Sequence, residues 1–81
     1  MAIILRNIRL LRRHKGFSAK DFASRLGMRY NYYMQLETGY LPLKEQHLQL
    51  IAKELDVDVG FLYTEGLPDL LLLSRELKEA T

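Results

Sequence analysis

The chain contains no cysteine, which excludes a disulfide framework and any thiolate metal site. Long apolar runs are missing as well. After the first few residues the longest uninterrupted one is Leu70 to Leu73, far short of the ~20 residues that span a bilayer. Met1 to Leu5 is followed by Arg6, the wrong charge order for a secretory signal. A cytoplasmic protein that does not enter membranes is the resulting expectation. No glycine loop of the phosphate-cradling type occurs, and the acidic residues do not fall at calcium-loop spacing. The two histidines, His14 and His47, lie on separate predicted helices with no serine or acid at a spacing that suggests catalysis. Asp56 and Asp58 read as a helix-end turn rather than an acid/base pair. Neither an enzyme nor a site for a metal, a cofactor or a small molecule is expected. A chain of 81 residues fits one small domain that buries only about 60% of its unfolded surface, so its stability is expected to be marginal and helped by a partner subunit.

What is present is an uneven charge. Residues 1–40 carry eight basic side chains against two acidic ones, a net of +6, and residues 41–81 carry four against eight, a net of −4. One half suits a polyanion and the other repels it, the pattern of a domain that meets nucleic acid with one face. The basic half also contains the stretch Ser18 to Gly39, SAKDFASRLGMRYNYYMQLETG. Ser18 is a good N-cap with Asp21 three residues on. Phe22, Ala23 and Leu26 fall on one helical face, and Gly27 ends the helix in a left-handed turn. Met28, Tyr33 and Leu36 supply the buried side of a second helix closed by Gly39. The face between those positions, Arg29, Tyr30, Asn31, Tyr32 and Gln35, has no acid and several long hydrogen-bonding groups. Two helices joined at a tight glycine turn, the second with such a face, is the form that enters a DNA major groove.

The remaining elements follow from period and punctuation. Ile4, Ile8 and Leu11 make one face of a first helix from Ile3 to His14. Arg6, Arg9 and Arg13 fall away from that face, and Arg12 lies at its edge, where it turns inward only if an acid meets it. Helix two runs to about Leu26 and helix three from about Tyr30 to Thr38. A loop through Pro42 precedes helix four, about Lys44 to Leu55, where Leu48, Ile51, Ala52 and Leu55 form the cleanest amphipathic stripe. Asp58 caps a short fifth helix, Val59 to Tyr63, with Phe61 and Leu62 as core plugs. Pro68 opens a sixth helix with Leu70, Leu73 and Leu77 on one side, read either as packing back on the domain or as a dimer contact. The predicted fold is all-α: a compact five-helix DNA-binding domain over residues 1–66, with an added C-terminal leucine-rich helix over 67–81.

From about Ile8 to Tyr63 the text IRLLRRHKGFSAKDFASRLGMRYNYYMQLETG and then LQLIAKELDVDVGFLY resembles the lambda-repressor-like helix-turn-helix regulators, the Cro and xenobiotic-response-element class. The alanine of FA, the glycine after RL, the LExG ending and the IAKEL…FLY tail all fall in register. The resemblance implies that helix three is the recognition helix and that Tyr30, Asn31, Tyr32 and Gln35 contact bases. Asn and Gln suit the paired hydrogen bonds of adenine. It further implies phosphate contacts by Arg13, Ser18, Lys20, Arg29, Thr38 and Tyr40, and an internal ion pair between Arg12 and Glu37. One departure stands out. Where the family usually places a phosphate-holding glutamine at the start of helix two, this chain has Ala19. The implied function is a sequence-specific transcription regulator, a repressor that binds a palindromic operator in double-stranded DNA as a homodimer with Leu70, Leu73 and Leu77 at the dimer contact. The competing reading uses the same fold as an antitoxin-like or partner-binding module, docking a protein on the Tyr30/Tyr32 patch.

Overall fold

The computed structural model describes residues 2–67 and 70–71, and among them the architecture is entirely helical. Four α-helices, α1 (Ala2–His14), α2 (Ala19–Arg25), α3 (Tyr30–Glu37) and α4 (Glu45–Leu55), are followed by one 3-10 helix, Val59–Tyr63. The first four lie within two residues of their sequence-predicted ends. The fifth element covers the expected Val59 to Tyr63 and winds as a 3-10 helix. A five-residue segment with Gly60 at its second position is too short to favour the wider helix. Of the sixth helix, Leu67, Leu70 and Leu71 are described and are helical, the Leu70 N–H donating to the Gly66 carbonyl at 3.2 Å; Leu73 and Leu77 lie outside the described residues.

The apolar stripes meet in one core. Ile4, Ile8 and Leu11 of α1 pack with Phe22 and Ala23 of α2, Tyr33 of α3, and Leu48, Ile51, Ala52 and Leu55 of α4. Leu62 and Leu67 close the far side, both without solvent exposure. Leu67, just past the boundary expected at residue 66, therefore belongs to this core. Phe61 does not; it is 37% exposed, because the 3-10 turn directs only Leu62 inward. Aromatic contacts run through the centre. Phe17 stacks on Phe22 at 5.7 Å between ring centres, and Phe22 meets Tyr33 edge-on at 5.5 Å.

The turn between α2 and α3 sets their mutual angle. The Gly27 N–H donates to the Ser24 carbonyl and the Met28 N–H to the Ala23 carbonyl, the doubled closure of a helix end in which the intervening residue is left-handed. Gly27 occupies that position with φ +71°. At the other end of α3, Gly39 has φ +86°, and an added Cβ would stand 3.0 Å from Leu5 Cδ1. The left-handed backbone angle is what favours glycine there, since the Leu5 methyl is the end of a flexible side chain and needs to give by only a few tenths of an ångström.

One buried polar side chain has no counterpart in the sequence-derived reading. Asn7 of α1 is fully buried, and its Nδ2 donates to the Leu62 carbonyl at 2.9 Å and to the Thr64 carbonyl at 2.8 Å. It thus satisfies the end of the 3-10 helix and fixes that element against α1. Asn7→Ala leaves the buried Leu62 carbonyl and the half-buried Thr64 carbonyl without this donor and is expected to lower the unfolding free energy by about 2 kcal/mol. Asn7→Asp, which turns an acceptor toward them, should lower it further at neutral pH. Denaturant melts of the three proteins read the order directly.

Candidate nucleic-acid interface

Helix α3 is two turns long and marginal by itself. Its N-cap residue, Arg29, makes no side-chain capping bond. Its position is imposed from one side by Tyr33, Leu36 and Glu37, the three residues it buries. Glu37 is the decisive one. Arg12 of α1 donates from Nε to Oε2 at 3.0 Å and from Nη2 to Oε1 at 2.9 Å, and its Nη1 donates to the Phe17 carbonyl at 2.8 Å. The pair is buried, with side-chain exposures of 7% and 2%. Arg9, predicted to point away, instead approaches the same carboxylate at 3.5 Å.

Burial alone would raise the Glu37 carboxyl; hydrogen bonds from Arg12, with the Arg12 and Arg9 charges, outweigh it and hold the carboxyl below its ordinary value. Burial alone would lower the Arg12 guanidinium, and the Glu37 carboxylate reverses that and raises it. Tyr33 lies beside the pair. Burial pushes its phenol far upward and the Glu37 charge adds to the effect, although the hydroxyl reaches no hydrogen-bond partner of good geometry.

Opposite this buried side runs the outward ridge. At about 100° per residue, Asn31, Gln35 and Thr38 share the direction diametrically away from the core, and all three are exposed. Tyr30 flanks them at 48% exposure and Tyr32 at 40%. Beside the ridge lies an open recess of about 450 Å³ lined by Asn31, Met34, Gln35, Thr38 and Tyr40. Thr38 is partly committed, because its hydroxyl donates to the Met34 carbonyl at 2.7 Å and its N–H to the same oxygen at 2.9 Å. Tyr40 is 78% exposed. At the start of α2 the Ser18 hydroxyl oxygen accepts from the Asp21 N–H at 3.0 Å. Arg13, Lys20 and Arg29 are exposed, and Ala19, half-buried against the core, presents no polar group. The structure thus brings the α3 residues into one ridge, with Ser18 and Lys20 at the neighbouring helix start.

Among the described residues no three or more His, Cys, Asp or Glu gather as a metal site, and no helix is long and apolar enough to cross a membrane. The helix-turn-helix family model matches residues 8–62, from α1 through the 3-10 helix. The chain belongs to the lambda-repressor-like helix-turn-helix family. That family is a DNA-binding regulatory one and typically not enzymatic. No curated protein and no solved structure matches the chain. Within this helix-turn-helix domain α2 and α3 are the paired helices, and the ion pair from α1 braces the second of them.

His47 was missed as a structural group. It is buried, its Nδ1 accepts from the Lys44 N–H at 3.0 Å, and its Nε2 lies 3.0 Å from the Tyr32 hydroxyl. The available signal was its place on the α4 stripe, four residues before Ile51.

The Arg12–Glu37 pair has a testable signature. A carboxyl held below its unfolded value adds stability that is complete above that value and lost as pH falls through the folded one. Glu37→Gln should therefore cost about 3 kcal/mol at pH 7 by stranding a buried guanidinium, and its deficit should shrink in melts below about pH 4, beneath the ordinary carboxyl value of 4.5. Arg12→Met with Glu37→Met, which removes both charges, should be less destabilised than either single change.

Proposed function

We propose that this helix-turn-helix domain is a sequence-specific transcription regulator that reads the DNA major groove with α3. The observation that carries the reading is the Asn31–Gln35 ridge, one helical turn of amide side chains standing opposite a buried ion pair in the basic half of the chain. Amide side chains are matched to the donor–acceptor pair that adenine presents in the major groove. The recess beside them, with Met34 and Tyr40 in its wall, offers an apolar seat for a thymine methyl. Tyr30 and Tyr32 border the same surface. Arg13, Ser18, Lys20, Arg29, Thr38 and Tyr40 are assigned to the sugar–phosphate rails, with Thr38 a weak donor because both its hydrogens are engaged within α3. Contacts of this kind set position and salt dependence, and the ridge sets sequence preference.

The regulator is proposed to act as a homodimer on a palindromic operator, with half-sites about 34 Å apart. Leu70 is 48% exposed and, with Leu73 and Leu77, supplies the proposed dimer contact. Repression by occluding a promoter is the proposed mechanism, because occupancy of DNA by the α3 face is all that it requires. The exposed aromatic groups Tyr30, Tyr32 and Tyr40 support a second reading, a docking face for a protein partner. Such docking would be nearly indifferent to salt.

Selection of bound duplexes from a random pool tests the assignment. The wild type should enrich a two-fold symmetric site and weaken steeply with salt. Asn31→Ala and Gln35→Ala should each lose about tenfold or more in discrimination at one position of the half-site while keeping non-specific affinity. Lys20→Ala should weaken all sequences alike and reduce the salt slope by about 1. Unchanged preference in both amide variants would remove α3 from the reading role.

A further inference from the structure

Tyr32 differs from its neighbours on α3 in one respect: it is tethered. Its hydroxyl oxygen lies 3.0 Å from His47 Nε2, and the two rings meet edge-on with centres 6.0 Å apart. The proton on that imidazole can be located from its other side. The Lys44 N–H donates to His47 Nδ1 at 3.0 Å, so Nδ1 is the acceptor nitrogen and the neutral ring carries its hydrogen on Nε2. Nε2 therefore donates, and the Tyr32 oxygen accepts. The phenol's own hydrogen is left to point elsewhere, and a hydroxyl that accepts one hydrogen bond donates more strongly in the next. The side chain is 40% exposed, so that donor has access to solvent.

Its direction matters as much as its chemistry. Around the α3 axis Tyr32 stands about 90° from the Asn31–Gln35 ridge, on the flank facing α4. A helix about 10–12 Å across nearly fills a major groove about 12 Å wide, so its apex meets base edges and its flanks meet the sugar–phosphate rails. Lys44, whose backbone forms the other end of the tether, is exposed on that same side. The tether also removes rotamer freedom from the tyrosine before any ligand arrives, which lowers the entropy lost on contact.

We propose that Tyr32, held by His47, is a preset hydrogen-bond donor to a DNA phosphate on the α4 side of the groove, with His47 as its positioning residue and no role for Tyr32 in reading bases. The proposal rests on the nucleic-acid function argued above and assigns within it the group that fixes how far α3 is rotated in the groove. Lys44 N–H to His47, His47 to Tyr32 and Tyr32 to phosphate then form one chain of donors from the start of α4 to the DNA.

The test uses the full chain and the duplex that the wild type itself selects from a random pool, with affinity, salt slope, base preference and melting temperature measured for each protein. Tyr32→Phe removes only the hydroxyl. It should weaken binding about tenfold, leave the base preference intact, and leave the salt slope unchanged because no cation is lost. His47→Asn keeps an acceptor where Nδ1 stands and removes the atom that reaches Tyr32, so it should reproduce the same loss. The double variant should be no weaker than Tyr32→Phe alone, since both changes cut one chain. His47→Gln places an amide nitrogen near the Nε2 position; it should recover most of the affinity while melting lower, which separates positioning from folding. A shifted base preference in Tyr32→Phe would make Tyr32 a reader and overturn the assignment. Undiminished binding by Tyr32→Phe would remove the phosphate contact, and undiminished binding by His47→Asn would remove the positioning role. A wild type that binds no duplex would overturn the nucleic-acid function itself, a failure visible before any variant is made.

Discussion

The guanidinium of Arg12 is the point on which the domain's geometry turns. With three nitrogens it holds Glu37 at the end of α3 and the Phe17 carbonyl in the turn before α2. Three separately formed pieces of chain are thus referred to one rigid planar group. A helix of two turns has too little cooperative length to define its own orientation, and apolar contacts alone are non-directional and tolerate sliding. The bidentate geometry does not. Such a pair is costly to desolvate and weak as a source of net stability, so its value here is directional: it aims the exposed side of α3.

The formal charge of the basic half overstates what that half presents outward. Arg12 is consumed inside, Arg9 leans on the same carboxylate, and Arg25 lies over the Phe17 ring at 4.5 Å while reaching Glu54 at 3.5 Å. Each of these basic groups does structural service. The cations that remain exposed at the α2–α3 face, Lys20 and Arg29 above all, flank a ridge that is itself neutral. On the proposed reading, affinity and discrimination are therefore carried by different residues, and they can be altered separately.

Much of this was legible in the chain because apolar spacing and glycine placement are local signals. The α1, α2 and α4 stripes, the Gly27 turn and the core positions Tyr33 and Leu36 all follow from periods of three and four. The features that escaped depend on what lies across the fold. Asn7 and His47 each sit on an apolar stripe as isolated polar residues, and nothing nearby in sequence tells whether such a group turns out or finds distant carbonyls, as Asn7 does 55 and 57 residues away. Phe61 and Leu62 are adjacent and both apolar, so only the tighter 3-10 winding decides that Leu62 enters the core. Arg9 belongs to the same class: its long side chain bends toward a carboxylate that the one-dimensional pattern cannot place. The ridge residues could be named from the chain, whereas the tether on Tyr32 could not.

The length of α3 has a consequence of its own. Eight residues at about 1.5 Å each extend roughly 12 Å, which covers about three or four base-pair steps of 3.4 Å. A word of four letters recurs by chance about every 256 positions, while a genome offers on the order of a million or more competing sites. One such helix therefore carries too little information to single out an address, however well its amides fit. On the proposed reading, in which α3 enters the groove, selectivity comes from repetition, with two short words at a fixed separation multiplying their improbabilities.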